Sequence, residues 1–478
     1  MGLNAAQAIR HWALRDPARI AVVDHDAITY AELDRLARGA AAYLTAQGVR
    51  AGDRVALSVP NGRGFLAAYF GALYAGLTVL PIPPMSAPPE IEARVAHAGC
   101  KLLIDGTEAL LAHEASGDPP RDLPPDTVAM LLYTSGTTGV AKGAMITHAS
   151  LVAHTAALVH HVLKLEQHDR VLAVLPLTHS YGIRMTLLAP FYAGATSVLR
   201  ARFRPAEVLD TLARERITWF PGVPTMFHAL AHEPPTPLEH LRWCLSAGAP
   251  LPREVRLRAE QKLGVPVRQG FGLTEATFST VSTPDDQGGE DSVGKPVFGV
   301  ELRIVDPEGK ALPVNTPGEV CVRGQNVMAG YLDDPDATRD ALRAGWLHSG
   351  DIGQLDDAGR LTIVDRIKDM ILRGGFNVYP AEVEAVLVQH PAVRAAAVVG
   401  VPDERYGEEV LAALVLHPGV SLEPRELDDF CRARLSRVKL PRRVTYLDAL
   451  PQGPSGKVQR RELRRLAEQG RLDVRPVP

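Results

Sequence analysis

Residues 133–143 read Tyr-Thr-Ser-Gly-Thr-Thr-Gly-Val-Ala-Lys-Gly. Glycines let backbone amides turn toward an anion, and small hydroxyls add donors at little steric cost. With Lys142 just behind Thr134, Ser135, Gly136, Thr137, Thr138 and Gly139, the chemistry implied is the holding of a polyphosphate. The order G-x-x-x-x-G-K-[ST] is absent, so this is not a P-loop. A plain turn or linker has a similar composition. The apolar run Thr127-Val-Ala-Met-Leu-Leu-Tyr133 before it favours the phosphate reading. A strand, a Gly-rich loop and a helix opening at His148 form the expected mount.

A second glycine-bearing loop, Gln269-Gly-Phe-Gly-Leu-Thr-Glu275, is expected after a strand at Val265–Arg268. Gly270 and Gly272 would let the backbone lie against a flat ring, and Glu275 could hold a divalent cation bridging phosphates. An ordinary turn with a solvent-facing Glu reads equally well. Asp351 suits ribose hydroxyls, though a turn aspartate has the same local sequence. His179, in Thr-His-Ser-Tyr-Gly, is more often a structural imidazole than a catalyst. No G-x-S-x-G elbow accompanies it, which excludes a hydrolase of that type. Lys457 sits in the polar turn Gln452-Gly-Pro-Ser-Gly-Lys, where a mobile ammonium can neutralise developing charge.

The elements that must carry these groups alternate along the chain. Thr29-Tyr-Ala-Glu32 reads as a capping box followed by apolar residues at helical spacing. Strands are expected at 54–59, 102–104, 170–175, 195–199, 217–220 and 241–245, with helices at 65–74, 89–98, 205–214 and 252–262 between them. Such alternation points to an α/β fold with mostly parallel, helix-covered sheets. From about residue 293 the texture turns to short β segments, including a hairpin at 353–364. A further break falls near 366–370. The roughly 110 residues beyond it can form their own small α+β core. The expected division is 1–365, a hinge at 366–369, and 370–478.

Composition narrows the partners. The 478 residues are 46% hydrophobic with a net charge of −3, leaving no electrostatic footprint for nucleic acid or an anionic membrane. The arginines at 460, 461 and 464 alternate with acids and are expected to be solvated. Cys100, Cys244, Cys321 and Cys431 lack metal-ligand spacing and suggest neither structural zinc nor a disulfide framework. The N-terminus shows no secretory pattern, and no window of 18 uninterrupted apolar residues suggests a membrane span. The default expectation is a cytoplasmic protein.

Together the motifs resemble the acyl-adenylate-forming superfamily: acyl-CoA synthetases, peptide-synthetase adenylation domains and luciferases. The likeness runs from Thr29 to Lys457 and is closest to fatty-acid and aryl acyl-CoA ligases. It implies a large N-terminal domain with parallel sheets and a distorted β-barrel subdomain, followed by a small mobile C-terminal lid. On this resemblance Thr134–Gly139 and Lys142 surround the outer phosphates of ATP. Gly248, Ala249, Pro250 and Gln269, Gly270, Phe271, Gly272 wall the adenine. Thr274 meets the α-phosphate, Glu275 holds magnesium, and Asp351 with Arg366 takes the ribose. Lys457 engages the attacking carboxylate, and His179 gates the acyl site. Lys368 is the hinge, about which the lid would rotate to bring Gly374 and Gly375 to the thiol channel.

The implied reaction is acid plus ATP to acyl-AMP and pyrophosphate, then transfer to a thiol. With 21 residues after Lys457, free coenzyme A is the expected acceptor, with a separate acyl carrier protein as the alternative. Tyr181, Gly182, Ser246, Ala247, Gly248 and Leu273 suggest an apolar acyl pocket. No acid follows Leu177 to hold an amino group, which disfavours an amino-acid substrate. Arg184 is either a salt-bridged surface residue or faces a carboxylate or phenol on the substrate. An apolar aliphatic or fatty acid is the first expectation and an aryl acid the second. A stand-alone adenylating enzyme with a nitrogen acceptor and a noncatalytic nucleotide-binding protein are the other classes.

Overall fold

The computed structural model describes residues 2–113, 118–134, 141–234, 236–286, 289, 291–452 and 458–478. The chain divides into two compact units, one of residues 1–302 with 321–348, the other of 303–320 with 349–478. Seven elements carry the groups of interest in the first unit and its edge: β1 (Val128–Thr134), β2 (Lys142–Thr147), α1 (His148–Ala157), α2 (Ser180–Ile183), β3 (Trp243–Ala247), β4 (Val267–Phe271) and β5 (Trp346–Leu355). In the second unit they are β6 (Leu361–Arg366), α3 (Pro380–Leu387), β7 (Val393–Asp403) and α4 (Arg460–Glu468).

Two sheets organise the first unit. In one, the strands Leu102–Ile104, Arg54–Leu57, Thr78–Pro81 and β1 run parallel, and β2 closes the edge antiparallel to β1. In the other, Trp219–Gly222, β3 and β4 are parallel neighbours, with Thr280–Val281 turning back antiparallel on β4. Val171, Leu172, Phe220, Cys244 and Val267 are buried, as expected of strands covered on both faces. The helix Tyr30–Ala46 begins at the anticipated capping box: Thr29 accepts from the Glu32 amide while Glu32 reaches back to the Thr29 amide. The helix Pro205–Arg214 also falls on its expected residues.

The second unit has its own core, in which Val383, Leu387, Val398, Ala412, Leu414, Leu427 and Val444 are buried together. Its sheet pairs β7 antiparallel with Gly407–Leu416, which in turn runs parallel to Arg443–Tyr446. Arg460 is not the solvated arginine that its neighbours suggested. It reaches Glu384 at 2.7 Å and Asp369 at 3.7 Å, while Glu384 also accepts from the Val398 amide at 2.7 Å. Burial pushes Glu384 up, and the adjacent guanidinium opposes that shift. The pair fastens α4 to α3 and β7. No helix among the described residues is long and apolar enough to cross a membrane.

Candidate active site

Thr134 and Lys142 stand opposite each other at the ends of β1 and β2. A strand antiparallel to β1, and not the helix expected from the sequence, is thus the first element after the Gly/Thr segment. Six residues of strand intervene before α1 starts, where the Thr147 side chain accepts from the Ser150 amide. Gly143, Ala144 and Ile146 are buried against the sheet, and that packing holds Gly-Ala-Met-Ile-Thr extended. Ser135, Gly136, Thr137, Thr138 and Gly139 lie outside the described residues.

Lys142 is half-buried. Its Nζ lies 3.8 Å from Asp334 Oδ2 and 5.4 Å from the centre of the Tyr331 ring. The Tyr331 hydroxyl donates to Glu275 Oε1 at 2.8 Å. One aromatic side chain thus links the lysine behind the Gly/Thr segment to the carboxylate of the second motif. Main-chain bonds fix the arrangement: Met328 N to Glu275 O, Ala329 N to Met145 O, Met145 N to Gly330 O, and Leu332 N to Gly143 O, all 2.8–2.9 Å. Residues 327–332 form a splint between β2 and Glu275. Burial and the Glu275 carboxylate push the Tyr331 hydroxyl far up, so it remains a donor across the physiological range. The sequence reading missed Tyr331, because a single tyrosine 56 residues from Glu275 carries no local signal.

The second motif also differs from expectation. Gln269, Gly270 and Phe271 belong to β4, and the turn begins at Gly272. A Cβ on Gly272 would fall 2.2 Å from the Phe278 amide nitrogen, and one on Gly270 would meet the Phe278 ring at 2.9 Å. Both glycines are thus required by the chain folding back on itself. Phe278 is buried with φ 44°, a conformation unusual for a bulky residue. The Gln269 side chain accepts from the Leu251 amide at 3.2 Å, tying β4 to the exposed Gly248-Ala249-Pro250 turn that follows β3. Gly248 has φ 90°, accessible to glycine. Leu273, Thr274 and Glu275 are half-buried after the turn.

His179 is an exposed residue capping α2, its Nδ1 accepting from the Tyr181 amide at 3.3 Å. Tyr181 is buried, with its hydroxyl between the carbonyls of Leu245 at 2.8 Å and Gly222 at 3.1 Å. Its ring meets Phe278 edge-on at 5.0 Å. Gly182 packs so closely that a Cβ would fall 2.2 Å from the Pro176 carbonyl. Ser246 is buried at the end of β3 beside Ala247, its hydroxyl without a hydrogen-bond partner among the described residues.

Arg184 is not a salt-bridged surface residue. It is 1% exposed, at the start of the π-helical segment Arg184–Leu188, and its Nη1 donates to the carbonyls of Ser150 (3.4 Å) and Leu151 (3.3 Å) of α1. Among the described residues its Nη2 has no hydrogen-bond partner, and burial pulls its guanidinium down to about 10. Apolar flanks on both sides, Gly-Ile before it and Met-Thr-Leu-Leu after it, were the available sign of an interior position.

In the second unit Asp351, on β5, is buried and pairs with Arg366 at the end of β6 at 3.0 Å, the two residues facing each other in register. Lys368 is exposed in the 3₁₀ turn Ile367–Asp369. Gly374 and Gly375 join Ile371–Arg373 to Phe376–Val378 with φ of 57° and 83°. Two consecutive positive φ values in a two-residue hairpin account for both glycines. Lys457 lies outside the described residues; the bridge Gln452–Val458 flanks it.

Residues 9–332 match the family described as AMP-binding enzyme, and residues 382–457 match the AMP-binding enzyme C-terminal domain. A feruloyl-CoA synthase of Amycolatopsis sp. is 39% identical over 462 residues, 92% of this chain and 94% of that one. The ATP-bound MatB structure from Rhodopseudomonas palustris superposes with a TM-score of 0.91 at 31% identity, covering 98% of this chain and 99% of the other. O-succinylbenzoate coenzyme A synthetase from Bacillus subtilis, solved with ATP and magnesium ion, gives 0.88 at 33% identity, covering 95% and 98%. The sheets, the joined Lys142 and Glu275 motifs and these likenesses agree: the chain belongs to the AMP-binding, acyl-adenylate-forming enzyme family and is an AMP-forming acid–CoA ligase that uses ATP and coenzyme A.

Proposed function

We propose that this ligase acts on an aryl acid of the phenylpropenoic type and delivers the acyl group to free coenzyme A. The carrying observation is the Tyr181–Phe278 edge-to-face pair at 5.0 Å, one ring following His179 and the other following the Thr274-Glu275 turn. Paired rings offer a flat acid the edge and face contacts that aromatic groups favour. The 39% identity with a feruloyl-CoA synthase supports this reading ahead of the aliphatic acid expected from sequence.

In this reading the acid's carboxylate attacks the α-phosphorus and pyrophosphate leaves; positioning and charge stabilisation suffice, with no protein nucleophile. Lys142 and the 134–139 segment face the outer phosphates. Gly248–Pro250 and Gln269–Gly272 hold the adenine, and Asp351 with Arg366 holds the ribose. Glu275 offers a hard oxygen donor suited to magnesium, with Tyr331 fixing one of its carboxylate oxygens, and Thr274 would meet the α-phosphate. When bound, the cation would neutralise charge on the phosphates. Lys457 meets the carboxylate, and His179 borders the acid. Rotation about Lys368 of the part beyond residue 369, bringing Gly374 and Gly375 into play, separates adenylation from thioester formation.

The test is a panel of C2–C18 acids, benzoates and cinnamates, scored for acid-dependent pyrophosphate exchange and for AMP release with and without coenzyme A. Cinnamates giving the highest kcat/KM, with CoA-dependent AMP release, are expected. A preference for long-chain acids returns the assignment to the aliphatic class. Exchange without CoA-dependent turnover points to a carrier protein or a nitrogen acceptor.

A further inference from the structure

Asp334 uses its two carboxylate oxygens for different tasks. Oδ1 accepts from the Ala337 amide at 2.9 Å and caps the helix Pro335–Ala341. Oδ2 lies 3.8 Å from Lys142 Nζ, farther than the roughly 2.7–2.9 Å of a closed charge-assisted hydrogen bond. The ammonium stands between that oxygen and the Tyr331 ring, whose centre is 5.4 Å away. Lys142 and Asp334 are both only part-buried.

The acid is fixed and the base is not. The Thr338 hydroxyl donates to the Asp334 carbonyl at 2.8 Å and accepts from the Tyr331 amide at 2.9 Å. Together with the cap, these bonds set the place of the carboxylate and the ring whatever Lys142 does. Lys142 hangs from β2 on a flexible four-carbon stem, so it is the partner that can leave.

Capping alone does not call for a carboxylate, because Asn or Ser caps a helix as well as Asp. Beside the lysine assigned to the outer phosphates, a negative charge also works against any polyphosphate. Burial, then Glu275 and then Asp334 push the Tyr331 hydroxyl up, so the field of this carboxylate is felt across the ring that joins the two motifs. What the charge adds to the cap is a second anion for Lys142.

We propose that Asp334 is a positioning residue that holds Lys142 between turnovers and competes with the phosphates for it, taking the ammonium back as pyrophosphate departs. This rests on the reading of Lys142 as the cation for the outer phosphates, and adds how that cation is released. A lysine with no competitor would keep its hold on the leaving group after adenylation. Because both side chains are partly in water, the competition amounts to about two- to fivefold in affinity, the scale of exposed ion pairs.

Calorimetry of magnesium–pyrophosphate and magnesium–ATP binding to the full chain tests this without any acid substrate. Asp334→Asn and Asp334→Ser keep a capping oxygen and lose the charge. Both should bind pyrophosphate about two- to fivefold more tightly than the wild type, a gain that damage to the fold does not produce; either variant suffices where the other fails to fold. Lys142→Ala should bind it more weakly, and adding Asp334→Asn to that variant should change nothing further. Unchanged or weaker binding in the Asp334 variants, with Lys142→Ala still impaired, overturns the inference and leaves the reading of Lys142 standing. A gain that persists without Lys142 also overturns it, since the acid would then repel the phosphates directly. A Lys142→Ala variant that binds both ligands as the wild type does overturns the reading and the inference together.

Discussion

Tyr331 Oη donates to Glu275 Oε1 at 2.8 Å while the face of its ring looks toward the Lys142 ammonium at 5.4 Å. One side chain thereby orients the acid proposed for magnesium and the base proposed for the outer phosphates. A hydrogen bond to a charged group contributes about 1.5–3 kcal/mol. Tyr331→Phe should lower kcat/KM for ATP on the order of tenfold and raise the magnesium concentration needed for half-maximal pyrophosphate exchange. An unchanged magnesium titration would remove Tyr331 from the site.

Lys457 is expected to serve only the first half-reaction. Lys457→Ala should slow adenylation by about 10²–10³-fold, the scale seen when one charge-stabilising donor is lost. The same variant should still convert supplied acyl-adenylate to thioester. Stopped-flow traces of the two steps check this; equal loss in both would contradict the role.

Acid sensitivity should come from buried histidines. Burial pulls His148 down to about 4 from an ordinary 6.5, and its Nδ1 accepts from the Ala5 amide at 3.0 Å. Below pH 6.5 the unfolded chain takes up a proton that the folded chain refuses. Stability from this group is therefore level above pH 6.5 and declines as pH falls toward 4, with a slope approaching about 1.4 kcal/mol per pH unit. His154, also shifted downward, adds in the same direction. His148→Asn keeps an acceptor near Ala5 and does not titrate, so its unfolding midpoint should vary less between pH 6.5 and 4.

The Arg460–Glu384 pair at 2.7 Å joins α4 to α3. Removing one partner leaves a charge in the interior, a loss of about 3 kcal/mol. Arg460→Met should lower the denaturation midpoint of the second unit markedly, and Glu384→Gln with it should recover part of that loss. An additive double variant would show the two groups to be energetically independent.

Much of this architecture was legible where local rules act alone. The capping box at Thr29–Glu32 and the helix at Pro205–Arg214 appear where expected, since capping and amphipathic spacing are short-range properties. The glycine motifs were legible as motifs but not in their setting. Gln269-Gly-Phe looked like a loop because two glycines lower strand propensity, yet Phe278 folding onto Gly270 and Gly272 compensates from outside the segment. Strand β2 was not legible because it is stabilised by pairing with β1 and by residues 329–332, which lie nearly 190 positions away. Arg184 and Arg460 were misplaced for the same reason: burial is decided by partners such as α1 and Glu384, which composition around the arginine does not name.

At Met328 and Ala329 the splint grips the two motifs through peptide groups, which are the same whatever side chains they bear. Met328 and Ala329 can therefore drift in identity without loosening the grip on Glu275 and β2. The rings proposed to face the acid lie on other segments, so a lineage of such enzymes can refashion which acid it accepts while its nucleotide chemistry stays put. Exchanging Met328 for leucine or isoleucine should leave turnover nearly untouched, whereas a proline there, which removes the amide bonded to Glu275, should abolish it.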